Sequence, residues 1–178
     1  ADVVLPDGDT LTAHCPNTGS LLGCADPGIG VRLSRSDNPG RKYPHTLEQV
    51  EVDGVRIGVH TGRPNALVAE AIENGVIEPL GGYDTLHREV TVERGSRMDI
   101  ARQHAEGHRA VLVYCVQRDD VRSVRPADHI DPAYSATLRR VLAAGVEAYA
   151  YAARLTDQEG TLYRTVPVPL EAPVRATA

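Results

Sequence analysis

Apolar side chains recur at every second position over residues 11–14, 31–34, 48–52 and 55–59. Between these runs stand Pro6-Asp-Gly8, Pro16-Asn-Thr-Gly19, Asp26-Pro-Gly28, Asn38-Pro-Gly40 and Asp53-Gly54. Period-two alternation broken by Gly, Pro and Asn clusters predicts short strands joined by tight turns. Asp53-Gly54, between two alternating runs, predicts a type I′ hairpin, whose two central residues need positive φ. Many short strands in about sixty residues point to a small barrel, and an OB-like barrel fits best.

The period changes at Pro64. Leu67, Val68, Ala71 and Ile72 fall on one helical face, and Gly75 follows as a stop. Alternation over 88–93, the Arg94-Gly95 turn and residues 96–100 predict two further strands. Residues 110–116 form an unbroken apolar run, the pattern of a strand buried on both faces. Asp131-Pro132 then predicts a helix start, with Asp as N-cap and Pro at the first helical position. Its apolar stripe is Tyr134, Leu138, Val141 and Leu142, and Gly145 ends it. Residues 146–152 return as a strand, so the order strand–helix–strand predicts a parallel crossover. From Val166 onward the tail is expected to be extended or frayed. The fold class is therefore mixed, an OB-like β-barrel over residues 1–62 followed by an α/β domain over 63–178.

Charge alters the picture locally. The 178-residue chain carries a formal net charge of −5, yet residues 31–43 hold Arg32, Arg35, Arg41 and Lys42 against the single acid Asp37. Lys42 is the only lysine among 18 arginines. A basic stretch interleaved with Asn, Ser and Tyr43 suits contact with a phosphate backbone, whereas a solvated loop is the plainer account of it. Residues 1–100 hold 9 basic and 15 acidic side chains and residues 101–178 hold 10 and 9, which excludes a broadly basic nucleic-acid binder but not a patch-based one.

Cys15, Cys24 and Cys115 are odd in number and lack a C-x-x-C, so free thiols in a reducing compartment are expected. No apolar run approaches the roughly 18 residues of a membrane span and no signal-peptide pattern is present, so a soluble cytoplasmic protein with no membrane partner is expected. Asn17, Thr18 and Ser20 could present a polar loop to phosphates or sugars, against the simpler reading of a structural turn. His104 and His108 stand four apart, but the intervening Gly107 argues against a shared helical face for metal. Asp99 closes a strand where a carboxylate could hold Mg²⁺, and Glu70 sits mid-helix on a polar position. Alone, each is most simply a solvated side chain.

Taken together, His14-Cys-Pro-Asn-Thr-Gly-Ser20, Ser34-Arg-Ser-Asp-Asn-Pro-Gly-Arg-Lys-Tyr43, His60-Thr-Gly-Arg-Pro-Asn65 and Ser96-Arg-Met-Asp99 resemble the sugar fermentation stimulation protein (SfsA) family. Gly107-His-Arg-Ala-Val-Leu112 and Pro126-Ala-Asp-His-Ile-Asp-Pro132 are similar to it as well. The resemblance implies an N-terminal OB-like domain, a PD-(D/E)xK nuclease-type second domain, DNA binding with little sequence preference, and a link to regulation of sugar utilisation. It also implies a catalytic and metal-holding Asp99, Mg²⁺ as cofactor, a weaker metal role for Glu70, and Arg32, Arg35, Arg41, Lys42 and Tyr43 as the DNA-binding set. Subunit number stays open, with a homodimer among the options.

The nuclease pattern then breaks. Asp99 should be followed by a strand bearing Glu-x-Lys, and no Glu here has Lys two residues on. After Ile100 the chain passes directly to Ala-Arg-Gln-His-Ala-Glu-Gly107, the expected end of a later helix, so on the order of fifty residues are missing by element length. A central strand is hard to delete without orphaning its neighbours' backbone groups. The favoured explanation is a stretch of the intact protein that this sequence skips, the other a true deletion. Three functions follow: DNA binding, a Mg²⁺-dependent nuclease inactive in this chain, and a sugar or nucleotide binder using the Asn17–Ser20 loop.

Overall fold

The computed structural model describes residues 1–86 and 104–169. The strands predicted over 88–93 and 96–100, Asp99, the Ile100–Ala101 junction and the chain beyond Pro169 lie outside the described residues.

The alternation marks four of the five strands in the N-terminal half; the first, Asp2–Val4, is an addition. Strands β1 (Asp2–Val4) and β2 (Thr10–Thr12) pair antiparallel, and β3 (Gly30–Arg35), β4 (His45–Val52) and β5 (Val55–Gly58) form a second antiparallel sheet in that order. The chain leaving β2 joins the two: His14 donates to the His45 carbonyl and accepts from the Leu47 amide, each at 2.8 Å. This segment takes up the edge of β4 that β5 leaves free. Asp53 and Gly54 have φ of 52° and 76°, as a two-residue hairpin of primed type demands. Leu47, Val50, Ile57 and Val59 form the buried interior, with Val31, Leu33, Cys15 and Cys24 packed against them.

Helix α1 (Arg63–Glu73) follows, then a 3₁₀ turn at Glu78–Leu80. Strands β6 (Val111–Val116), β7 (Glu147–Leu155) and β8 (Gly160–Val166) form a sheet ordered β6-β7-β8. β6 and β7 run parallel and are bridged by α2 (Pro132–Ala143), as predicted; β7 and β8 form an antiparallel hairpin. Asp131 caps α2 by accepting from the Tyr134 amide at 2.8 Å. The sheet lies between two layers. Val113, Cys115, Tyr151 and Ala153 pack with α1, whereas Leu112, Ala110 and Val146 pack with Leu138 and Val141 of α2. The alanines at 150, 152 and 153 are almost wholly buried, and their small volume brings both layers close to β7.

Three expectations change. β6 has both faces covered, yet each of its residues is only half-buried, because among the described residues it is an edge strand and β7 is the centre. Tyr134 does not belong to the buried stripe: it is 50% exposed in the first turn of α2, its hydroxyl 3.1 Å from that of Tyr114. Val166 is core rather than tail, ending β8 with 4% exposure. The cysteines are free, and all three are half-buried.

Candidate nucleic-acid interface

A bulge in β4 sets the electrostatics of the barrel's outer face. Arg32 pairs with Gln49 but Leu33 with Leu47, so Glu48 has no partner in β3. An extra residue in one strand lets two successive side chains point the same way. Glu48 and Gln49 both face outward, while Leu47 and Val50 stay in the core. Glu48 accepts from Arg63 of α1 at 2.7 and 2.9 Å and from the Ser34 hydroxyl at 2.7 Å. Burial pushes its carboxyl up, but the hydrogen bonds from Arg63 and Ser34 outweigh that and hold it below the usual carboxylate range.

The basic segment divides into two places. Arg32 lies mid-strand on the outer face, where its Nε donates to Asp157 Oδ1 at 2.7 Å and its Nη2 lies 3.7 Å from Glu51. Asp157 is in the turn between β7 and β8, so this arginine reaches across to the second half of the molecule. The other members sit at the end of the β3–β4 hairpin. Arg35 closes β3 opposite His45, with Arg41, Lys42 and Tyr43 in the connection that follows. Arg41 donates to the Thr46 hydroxyl at 2.9 Å, which ties the loop to the buried start of β4. Lys42 stands over the Tyr43 ring at 5.1 Å. Asn38 turns the tip by accepting from the Gly40 amide. Among the described residues, Arg35, Arg41 and Lys42 have no acidic partner; Arg35 and Lys42 are exposed, and Arg41 is half-buried against Thr46.

The Asn17 loop is tied down. The Asn17 side chain donates to the Val59 carbonyl at 3.0 Å and accepts from the Gly19 amide at 2.8 Å, and Thr61 donates to the Pro16 carbonyl at 2.6 Å. Thr18 and Ser20 remain exposed beside it. Glu70 lines a cavity of about 410 Å³ between barrel and sheet, with Arg32, Ser34, Glu48, Arg63 and Asp157. Glu48 is committed to Arg63, and among the described residues no three His, Cys, Asp or Glu side chains gather as metal ligands, while Asp99, the expected Mg²⁺ holder, lies outside them. His104 bonds instead to the Ala144 carbonyl at 2.8 Å.

Sequence reasoning missed Arg56, on β5, which lies 3.0 Å from Asp157 Oδ1. Its signal was weak, one arginine in an alternating strand. Arg109 was also missed; it clasps Glu147 at 2.7 and 2.9 Å and reaches the Pro79 carbonyl at 2.8 Å, joining β7 to the 3₁₀ turn.

Residues 1–59 match the family model of the SfsA N-terminal OB domain, and residues 100–159 match that of the sugar fermentation stimulation protein RE domain. The sugar fermentation stimulation protein homolog of Pelobacter propionicus is 42% identical, over 94% of this chain and 91% of that protein. The chain belongs to the sugar fermentation stimulation protein family. A second member, from Alkalilimnicola ehrlichii, is 43% identical over 94% of this chain and 90% of its own length. SfsA of Pyrococcus furiosus, solved in complex with Ca²⁺, superposes with a TM-score of 0.80 over 92% of this chain and 87% of that one, at 20% identity. The SfsA fold and its OB domain are therefore shared. The Pelobacter alignment runs over 209 positions, while 94% of 178 residues is about 167, so about 40 positions of that relative have no counterpart here. Among the described residues, no helix is long and apolar enough to cross a membrane.

Proposed function

We propose that this SfsA-family chain binds DNA through its β3–β4 hairpin tip, with little sequence preference, and does not cut it. The observation that carries the reading is the group of Arg35, Arg41 and Lys42, without acidic partners among the described residues, beside Tyr43. Cations without acidic partners contact phosphates without reading bases, and the half-buried Tyr43 ring, with Lys42 over it, adds a partial stacking face on the OB surface. Regulation of sugar utilisation, in the cytoplasm, is the role in which the family name supports such binding.

The second reading is a Mg²⁺-dependent nuclease of PD-(D/E)xK type, in which Asp99, with Glu70 as auxiliary, would hold the metal. The Ca²⁺ bound by the Pyrococcus relative favours a divalent-ion site in the family. In this chain the Glu-x-Lys strand has no counterpart, and we place the missing stretch of about 40 positions after Ile100. Without the second acid and the lysine, neither the metal nor the attacking water has its holder.

A salt-titrated anisotropy assay on a labelled duplex, with a parallel nicking assay in Mg²⁺, tests both. Three phosphate contacts predict a fall in affinity of roughly 40-fold between 50 and 200 mM salt, and roughly 4-fold for Arg41→Ala/Lys42→Ala, which leaves one contact. An affinity insensitive to salt, or to the double substitution, refutes the DNA reading. Mg²⁺-dependent nicking refutes the claim that this chain cannot cut.

A further inference from the structure

The outer face of β3–β5 carries a second cationic feature, separate from the hairpin tip. Arg32 and Gln49 are opposite one another, as are Glu51 and Arg56, so these four side chains share the face that looks toward the β7–β8 turn. Two guanidiniums from the two outer strands converge there on a single oxygen. Asp157 Oδ1 is 2.7 Å from Arg32 Nε and 3.0 Å from Arg56 Nη2.

The acid that joins them is held loosely. Its side chain is 62% exposed, and ion pairs so open to water contribute little. The turn that carries Asp157 rests on the barrel through polar contacts. Gln49 donates to the Thr156 carbonyl at 2.9 Å, and Arg56 Nη1 reaches the Leu155 carbonyl at 3.5 Å. The Gln49 amide oxygen is buried beside this contact with no donor within hydrogen-bond distance among the described residues. Polar contacts between two halves of a chain of this kind allow relative movement. There is room on both sides. The 410 Å³ cavity opens beside Arg32, and another of about 350 Å³, bordered by Glu51, Asp119 and Leu155, opens beside Arg56.

We propose that Arg32 and Arg56 form a second phosphate site, which Asp157 fills while no nucleic acid is bound. A carboxylate between two arginines has the charge and acceptor geometry of a phosphodiester. Asp157 and the nearby Glu51 match the two arginines in charge, and Glu70, Glu159 and Asp119 border the adjoining cavities. Withdrawal of Asp157 frees the two guanidiniums, Arg32 keeping only its 3.7 Å approach to Glu51, for one phosphate. Nucleic acid lying along the barrel would engage the hairpin tip first and this site second, displacing the turn. The carrier of the phosphate is taken from the proposed function; the site itself follows from the convergence of the two arginines.

The test uses the full chain with Asp157→Asn, Asp157→Asn/Arg56→Ala and, as a control, Glu159→Gln, which removes the same charge from the same turn. Inorganic phosphate is titrated while the arginine Nε–Hε resonances are followed by NMR. The expected result is a shift of both the Arg32 and Arg56 signals at roughly ten-fold lower phosphate in Asp157→Asn than in wild type or Glu159→Gln. On a labelled duplex, Asp157→Asn should bind about 3- to 10-fold more tightly at low salt, with a log–log salt slope steeper by about one, and adding Arg56→Ala should cancel the gain. Equal phosphate response in Asp157→Asn and wild type overturns the proposal. If phosphate shifts the two arginines but no variant binds duplex, the site stands and the nucleic-acid reading falls.

Discussion

Glu48 is the residue whose removal the structure makes most quantitative. Glu48→Ala deletes a two-pronged contact with Arg63 and an acceptor for the Ser34 hydroxyl. Glu48 is 16% exposed and Arg63 55%, so the arginine regains water when its partner is lost and the ion pair is worth about 1 kcal/mol. The part-buried Ser34 hydroxyl recovers less, adding about 1 kcal/mol. The total, about 2 kcal/mol, corresponds to a fall in Tm of roughly 4–8 °C for a chain of this size. Glu48→Gln keeps the volume and an acceptor and should lose about half as much. Acidity gives a second readout. Because the folded carboxyl is held below its unfolded value of about 4.3, its contribution is full above that pH and is lost as pH falls through the folded value. The gap between wild type and Glu48→Gln should therefore be widest near neutrality and close in acid. Denaturant melts at a series of pH values, with a double-mutant cycle on Arg63→Ala, measure both quantities. A Glu48→Ala protein as stable as wild type at pH 7, or a gap that persists in acid, would show that the bulge does not aim this carboxylate at α1 as described.

Two further outcomes test the second half of the molecule. Asp131→Ala removes the side-chain cap from α2 and should lower stability by about 1 kcal/mol in denaturant melts, with Asp131→Asn restoring most of it. Burial pushes the Cys115 thiol up to about 11, so at pH 8 its alkylation by iodoacetamide, followed by peptide mass spectrometry, should be about two orders of magnitude slower than that of a free peptide cysteine. Labelling at the free-peptide rate would show that β6 leaves its packed position readily.

Local chemistry in the sequence is enough to place most elements. Asp53-Gly54 makes its hairpin because positive φ at two successive positions suits few other residue pairs, and Asp131-Pro132 starts α2 because capping involves only near neighbours. The crossover from β6 to β7 follows from an apolar run, an amphipathic helix and a second apolar run in that order. The chemical strings around Asn17 and Lys42 led to the family, and two family models bear that out.

What needed the tertiary structure depends on contacts between distant residues. Arg32 belongs by sequence to the basic segment, yet its nearest charge is Asp157, 125 residues away, and its strand position turns it from the hairpin tip toward the second half of the chain. Arg56 joined it only once β5 was seen beside β4. The outward aim of Glu48 comes from a bulge, a mismatch between two strands that neither strand's pattern records. Tyr134 and the half-buried β6 show the same limit: periodicity gives a face, and only the neighbouring layers decide how much of it is covered. Sequence thus determined which segments become strands, turns and helices, because those preferences are local. Which of its charges are free to meet a phosphate was decided by tertiary packing, because charge compensation is set by distance in space.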